Sequence, residues 1–174
     1  MGSGKTTVGL LLAKQLAWRF EDLDALIEQR AGLTIPAIFD RLGEPAFREM
    51  ETEQLHAVLG RASESRTPVV LALGGGTYAQ PGAIERLRER GATVIWLDCP
   101  VEVLLARCTT MTNRPLFRDE SSFRNLFESR MPFYQQADYR VIGDDEPSRV
   151  VERVLALPPF SRLHGFSEPL AAPG

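Results

Sequence analysis

The chain has 174 residues, 44% of them hydrophobic and 25% charged, with a net charge of −3. That length and balance suit one soluble globular domain, and the acidic sign excludes a global basic field drawing the chain to nucleic acid or an anionic membrane. Two cysteines, Cys99 and Cys108, are too few for a disulfide framework and lack metal-site spacing, and no apolar run approaches the roughly 20 residues of a membrane span. A cytoplasmic monomer with no membrane or nucleic-acid partner is expected.

The chain opens on Met1-Gly2-Ser3-Gly4-Lys5-Thr6-Thr7. Gly4-Lys5-Thr6 supplies the G-K-[ST] that ends a G-x-x-x-x-G-K-[ST] phosphate loop, a glycine-rich turn between a strand and a helix. The opening glycine and the strand that feeds the loop are expected ahead of Met1, so a first strand is expected to be missing from this chain. The glycines of such a loop let successive backbone N–H groups converge on phosphate oxygens at a helix N-terminus. Lys5 would reach the β- and γ-phosphates, and the Thr6 hydroxyl would take a place on Mg²⁺. Taken alone, the stretch also reads as a Gly/Ser-rich terminus with a chance G-K-T.

The pattern after the loop predicts a helix over residues 8–16, with Val8, Leu11, Leu12 and Leu16 on one side. A strand near 19–22 leads into Asp22-Leu23-Asp24, and a helix over about 25–31 ends at Gly32. Thr34 reads as the N-cap of a helix over 35–42, with Pro36 in its first turn and Gly43 closing it. A longer helix follows over about 44–62, and 63–68 is a polar connection. Val69-Val70-Leu71-Ala72-Leu73 is apolar throughout, as in a parallel strand buried on both faces, and ends in Gly74-Gly75-Gly76. A charged helix over about 82–90 stops at Gly91, and 93–97 reads as the next buried strand. Pro100 opens a helix to about Cys108, and 109–121 reads as a mobile loop. A helix over 122–136 should bend or end early at Pro132. A last strand at 139–142 and a last helix at 147–157 complete the domain, and the proline-rich 158–174 reads as a disordered tail.

Strands alternating with helices indicate an α/β fold, an open parallel sheet with flanking helices, in one domain over 1–157 with a lid at about 109–121. Ligands in such sheets sit beyond the carboxyl ends of the strands. Asp22, Asp24, Gly74–Gly76 and the phosphate loop all fall at such ends, so they should meet at one crevice. One of the two carboxylates could hold Mg²⁺ through water while the other accepts a proton from a substrate hydroxyl, although Asp24 could equally serve only as an N-cap. Arg48 could fork a substrate carboxylate or form a surface ion pair such as Glu44–Arg48, worth about 0.2–0.5 kcal/mol. Three glycines after a buried strand carry a backbone entropy cost, which argues for close approach of something to the backbone there. Arg114, in Asn113-Arg114-Pro115-Leu116, could close over a transferring phosphoryl group. Arg107 and Arg130 carry the same choice between solvated and functional roles.

In this order the pieces resemble the shikimate kinase family. The family shows a Gly-Ser-Gly-Lys-[ST]-Thr loop, a D-x-D after a strand, a G-E-x-x-F-R helix, a strand ending in G-G-G, an N-R-P-L lid and an R-x-x-x-Y helix. The chain has Gly2–Thr7, Asp22 to Asp24, Gly43-Glu44-Pro45-Ala46-Phe47-Arg48, Gly74–Gly76, Asn113–Leu116, and Arg130 to Tyr134. The resemblance implies transfer of the γ-phosphoryl of ATP to the 3-hydroxyl of shikimate, with Mg²⁺ as cofactor. It implies that Asp24 serves as base or orienter, that Asp22 and Thr6 hold Mg²⁺, and that Lys5 and Arg114 stabilise the transferring group. Arg48, Arg130 and the backbone of Gly74, Gly75 and Gly76 would bind shikimate. Arg107 would pack on adenine, with the segment at Pro147 lining the other face. Another small P-loop kinase, acting on gluconate or a nucleoside monophosphate, is the nearest alternative, and a kinase-like nucleotide binder without turnover is another. A P-loop GTPase is disfavoured by the lack of an N-K-x-D motif.

Overall fold

The computed structural model describes residues 2–109 and 119–161. The first helix, α1 (Lys5–Leu16), starts directly from Gly4 and ends where Ala17 turns into the left-handed region, its N–H donating to the Lys14 carbonyl. Strand β1 (Arg19–Asp22) follows and runs straight into α2 (Leu23–Ala31). The cap of α2 is Asp22, whose Oδ1 accepts from the N–H groups of Asp24 and Ala25 at 3.1 and 3.4 Å. Asp24 lies inside the helix, two residues earlier than the sequence pattern predicts, so its carboxylate is not the one spent on capping.

The two helices expected on either side of Gly43 run together as α3 (Ile35–Ser65), capped by Thr34 and interrupted only at Gly43 (φ 83°, ψ 169°). That positive φ is the break the sequence anticipates. Beyond it the helix runs to Ser65, consuming half of the expected 63–68 connection. Strand β2 (Val69–Ala72), a short 3₁₀ turn (Thr77–Ala79) and α4 (Ala83–Glu89) come next. They are followed by β3 (Ile95–Asp98), α5 (Val101–Thr109) and α6 (Glu120–Tyr134). Pro132 does not end α6 early. Only its own missing N–H is lost, and the last turn is held by Gln135 N–H to Met131 O at 3.0 Å and by the Gln136 side chain on Pro132 O at 3.1 Å. Arg114 and most of the segment 109–121 expected as a lid lie outside the described residues.

Strand β4 (Tyr139–Ile142) leads to α7 (Pro147–Leu155), which buries Val150, Val151, Val154 and Leu155 on one stripe. Each such side chain stabilises the fold by roughly 1.5–3 kcal/mol. The expected tail does not begin at 158. Pro158–Ser161 form a further turn of helix, α8, and Phe160 is buried against Trp18 with ring centroids 6.1 Å apart. An aromatic side chain with a pocket to fill outweighs the local proline content.

All strand pairings are parallel. β1 pairs with β2 (Arg19↔Val69 to Asp22↔Ala72), and β3 with β4 (Ile95↔Tyr139 to Asp98↔Ile142). Among the described residues these remain two separate two-stranded ladders, and no strand precedes the phosphate loop. Core residues lie on both faces. Leu71 and Leu73 pack with α2, α3 and α4 through Leu23, Ile27, Leu55 and Leu87, while Val70, Ile95 and Leu97 pack with α1 and α7 through Val8, Leu12 and Val154. The alternation along β2 confirms a strand with apolar neighbours on both sides. Yet β2 and β3 are only half-buried, apart from Ala72, because each has one edge along a cavity of about 600 Å³.

Candidate active site

The loop glycines have the geometry the motif requires. Gly2 and Gly4 both sit at positive φ, 70° and 80°, a region that strains a side chain carrying Cβ. α1 has no side-chain N-cap, so its first N–H groups are left to face an anion. Lys5 begins the helix, with its ammonium donating to Ser3 Oγ at 3.4 Å, which draws it back over the loop. Thr7 stands exposed on the first turn.

The Thr6 hydroxyl donates to Asp22 Oδ2 at 2.7 Å, across sixteen residues of sequence. This pair joins the loop to the carboxyl end of β1. A hydroxyl and a carboxylate are hard oxygen donors, few enough to leave Mg²⁺ most of its waters and substrate phosphate oxygens, as that ion prefers. The donor set therefore fits the metal. Asp22 caps α2 with its other oxygen, so its orientation is locked from two sides.

Gly74 is where the backbone is most closely approached. A Cβ built there would fall 2.6 Å from Asp24 Oδ1, 2.8 Å from Thr77 Oγ1 and 3.2 Å from Glu51 Oε1. Asp24 is thus aimed at the carboxyl end of β2, on the same rim as the phosphate loop. Gly76 is crowded by cations instead: a Cβ there would lie 2.8 Å from Arg130 Nη2 and 3.2 Å from Arg48 Nη1. The two guanidiniums converge on one backbone position from different helices. The glycine run is therefore a floor kept low so that acids and cations can reach over it.

Arg48 is oriented by Glu44 and Glu51, each at 2.9 Å. The Glu44 pair is the surface contact its sequence suggests; the Glu51 pair is not. Glu51 is 2% exposed, and its other oxygen accepts from the buried Thr77 hydroxyl at 2.5 Å. Arg130 is 8% exposed, and no carboxylate among the described residues lies within ion-pair distance of it. A buried guanidinium without a protein counter-charge is costly, and an anionic ligand would offset that cost. One turn further on, the Tyr134 hydroxyl donates to Gly75 O at 2.5 Å. Burial pushes the Tyr134 phenol above its ordinary value while Arg130 pulls it back, so the donor keeps its proton across the neutral range.

Arg107 lies on α5 with Nη1 donating to the Gly2 carbonyl at 3.2 Å. It thereby ties that helix to the phosphate loop. Pro147 is half-buried at the first turn of α7, just beyond the carboxyl end of β4. Arg114 lies outside the described residues.

Glu51 and Thr77 join this crevice without having been singled out in the sequence, while Tyr134, quoted there only as the end of the R-x-x-x-Y pattern, reaches it through Gly75. Glu51 carried a legible signal: it occupies the buried phase Phe47, Glu51, Leu55, Leu59 at four-residue spacing, where a carboxylate demands a partner. Thr77 had no such signal.

The model of the family "SKI: Shikimate kinase" matches residues 1–157. The shikimate kinase of Aquifex aeolicus is 42% identical over 156 residues, covering 89% of each chain. The solved shikimate kinase of Acinetobacter baumannii in complex with shikimate superposes with a TM-score of 0.81 at 39% identity, covering 89% of this chain and 86% of that one. A gluconokinase of Sinorhizobium meliloti reaches 0.58 at 22% identity, over 94% of this chain and 88% of its own, a likeness of fold alone. A loop, an acid pair and two converging arginines in one crevice, matched along the length of the domain by these relatives, place the chain in the shikimate kinase family.

Proposed function

We propose that this chain transfers the γ-phosphoryl group of ATP to the 3-hydroxyl of shikimate, giving shikimate 3-phosphate and ADP, a step toward chorismate and the aromatic amino acids. The observation that carries the reading is the convergence of Arg48 and Arg130 on Gly76, beside Asp24 at Gly74. It offers a carboxylate clamp and a base at backbone positions two residues apart, as a small hydroxy acid requires.

In this reading Arg48 and Arg130 fork the shikimate carboxylate, and the backbone of Gly74, Gly75 and Gly76 lines its ring. Asp24 accepts the proton of the 3-hydroxyl as that oxygen attacks the γ-phosphorus. The new O–P bond forms while the bond to the β,γ-bridging oxygen breaks, and ADP leaves. Lys5 and the N–H groups of Gly2 to Thr7 hold the phosphates, and Lys5 follows the charge as it moves to the leaving oxygen. Thr6 and Asp22 would hold Mg²⁺, which supplies charge neutralisation on the β- and γ-phosphates. Arg107 would pack on adenine, with Pro147 at the opposite face. Arg114 would close over the transferring group, excluding water that would otherwise accept it. The protein acts in this reading as a cytoplasmic monomer, as a single domain over 1–157 with a lid at 109–121, without membrane or nucleic-acid partners. Among the described residues no helix is long and apolar enough to cross a membrane.

An acceptor panel in an ADP-release assay tests the reading. Shikimate should support turnover, whereas gluconate and nucleoside monophosphates should not; turnover with gluconate but not shikimate would sink it. Binding of nucleotide and shikimate without any ADP release would reduce the chain to a kinase-like binder.

Gly76→Ala probes the clamp itself. Gly76 sits at φ −110°, which alanine tolerates, and the atoms a Cβ would meet are the far ends of two flexible side chains. Stability should change by no more than about 0.5 kcal/mol, since the backbone is undisturbed. The KM for shikimate should rise about tenfold or more, equivalent to about 1.4 kcal/mol, because both guanidiniums must move aside. An unchanged KM would mean that the carboxylate binds elsewhere.

A further inference from the structure

We infer that Tyr134 is a positioning residue, which holds the glycine turn under the acceptor substrate in one of two forms open to its backbone. Gly74 to Thr77 make a tight turn after β2, closed by Thr77 N–H donating to Gly74 O at 3.2 Å. Gly75 and Gly76 are its central residues, and Gly76 stands at φ −110°, ψ −10°. Those angles lie close to the third position of a type I turn. A type II turn joins the same ends with the central peptide turned over, and it requires positive φ at the third position. Most residues exclude that form, whereas glycine admits it freely. With glycine at both central positions, the turn's own backbone does not choose between them.

The choice falls to the carbonyl of the central peptide. Local donors take the other two carbonyls of the run. Gly74 O accepts from Thr77 N–H, and Gly76 O accepts from Ala79 N–H at 3.1 Å and from Gln80 Nε2 at 3.2 Å. Among the described residues no backbone N–H reaches Gly75 O, which accepts instead from the Tyr134 hydroxyl at 2.5 Å, 59 residues further along the chain. The peptide is trans, so its C=O and N–H point opposite ways. Holding Gly75 O on Tyr134 therefore aims the Gly76 N–H away from Tyr134, and turning the peptide over would exchange the two. With all three carbonyls drawn to protein donors, the run is left to show a carboxylate its N–H groups. Tyr134 is itself steadied by Trp96 of β3, with ring centroids 6.2 Å apart. Arg130 stands one turn earlier on the same face of α6, and its charge reaches the same hydroxyl. One short stretch of α6 thus sets both a clamp arginine and the turn it faces.

The hold on the turn is independent of the reaction, whereas its effect on KM rests on the proposed transfer to shikimate. Tyr134→Phe keeps the ring and removes only the hydroxyl, and it tests both in the full chain. Without ligands, the amides of Gly75, Gly76 and Thr77 should each report one state in the parent. In the variant the same amides should show microsecond-to-millisecond exchange or displaced signals by relaxation-dispersion NMR. Adding Gly76→Ala should return Gly75 and Thr77 to the signals of Gly76→Ala alone, because alanine resists positive φ. In steady-state kinetics Tyr134→Phe should raise the KM for shikimate about fivefold or more, as for one lost hydrogen bond, and change the KM for ATP less than about twofold. Unchanged amides in Tyr134→Phe, or changes that survive Gly76→Ala, overturn the inference. So does a turn that exchanges while the shikimate KM stays put, or a rise of both KM values together with a fall in Tm, which marks a structural tie alone. A parent chain without turnover on shikimate fails the proposed function by itself, and the amide signals still decide whether Tyr134 holds the turn.

Discussion

Asp24→Asn is expected to lower kcat by about 10²–10⁴-fold, the usual loss when a positioned base is removed, while ATP affinity stays near that of the parent chain. Asparagine preserves the shape that lies against Gly74, so the crowding at Oδ1 is kept and only the charge and the proton-accepting capacity go. The helix start is also undisturbed, because the cap of α2 is Asp22. A loss of turnover can therefore be read as chemistry and not as unfolding. Steady-state kinetics with shikimate and ATP, paired with a binding titration for nucleotide, separates the two. Turnover within about threefold of the parent would show that the 3-hydroxyl needs no carboxylate at this position and that positioning alone carries the rate.

Glu51→Ala should have the largest effect on the fold, about 3 kcal/mol of lost stability, because it breaks a buried ion pair from one side. Two groups are affected at once. The Thr77 hydroxyl loses an acceptor in a site where it is 2% exposed, and Arg48 keeps only the exposed Glu44. Arg48 should then swing outward with Glu44, and the KM for shikimate should rise along with the loss of stability. Glu51→Gln divides the effects: it can still accept from Thr77, so most stability should return, but without the charge Arg48 stays loosely held and KM stays high. Urea unfolding and shikimate saturation measured on both variants decide the matter. Restoration of both properties in Glu51→Gln would mean that charge plays no part in aligning Arg48.

Much of the fold was readable because its local signals are strong. The apolar runs at 69–73 and 93–97 cannot be surface strands, and Gly32, Gly43 and Gly91 end helical patterns where the backbone turns to positive φ. The site was readable where residue types are unusual for their place, as with three glycines after a strand or a lone G-K-T before a helix. Features created by tertiary contact were not. Thr77 is an ordinary hydroxyl until the 3₁₀ turn carries it to Glu51, back across 26 residues of chain. Pro158 and Pro159 argue for irregular structure until Phe160 finds Trp18. The cap of α2 went to Asp22 instead of Asp24 because the strand passes into the helix without a linking residue, leaving the last strand residue to cap it. Local composition predicts what a segment would do alone, and these segments are not alone.

The two arginines of the clamp belong to differently anchored parts of the molecule. Arg48 rides on α3, whose core is shared with β2, whereas Arg130 rides on α6, which packs mainly with α5 through Leu104, Leu105, Phe123 and Phe127 and reaches the α3 core only at its last turn, through Phe133 and Tyr134. In the proposed reading, a carboxylate gripped by both would therefore tie α3 to α6 beyond the contacts that Phe133 and Tyr134 already make. Substrate and fold are then thermodynamically linked: each tenfold rise of shikimate above its Kd contributes about 1.4 kcal/mol to the folded state by mass action. In a cell the abundance of such a chain would follow the supply of its own substrate, since the molecule least exposed to unfolding and proteolysis is the one already holding its acceptor.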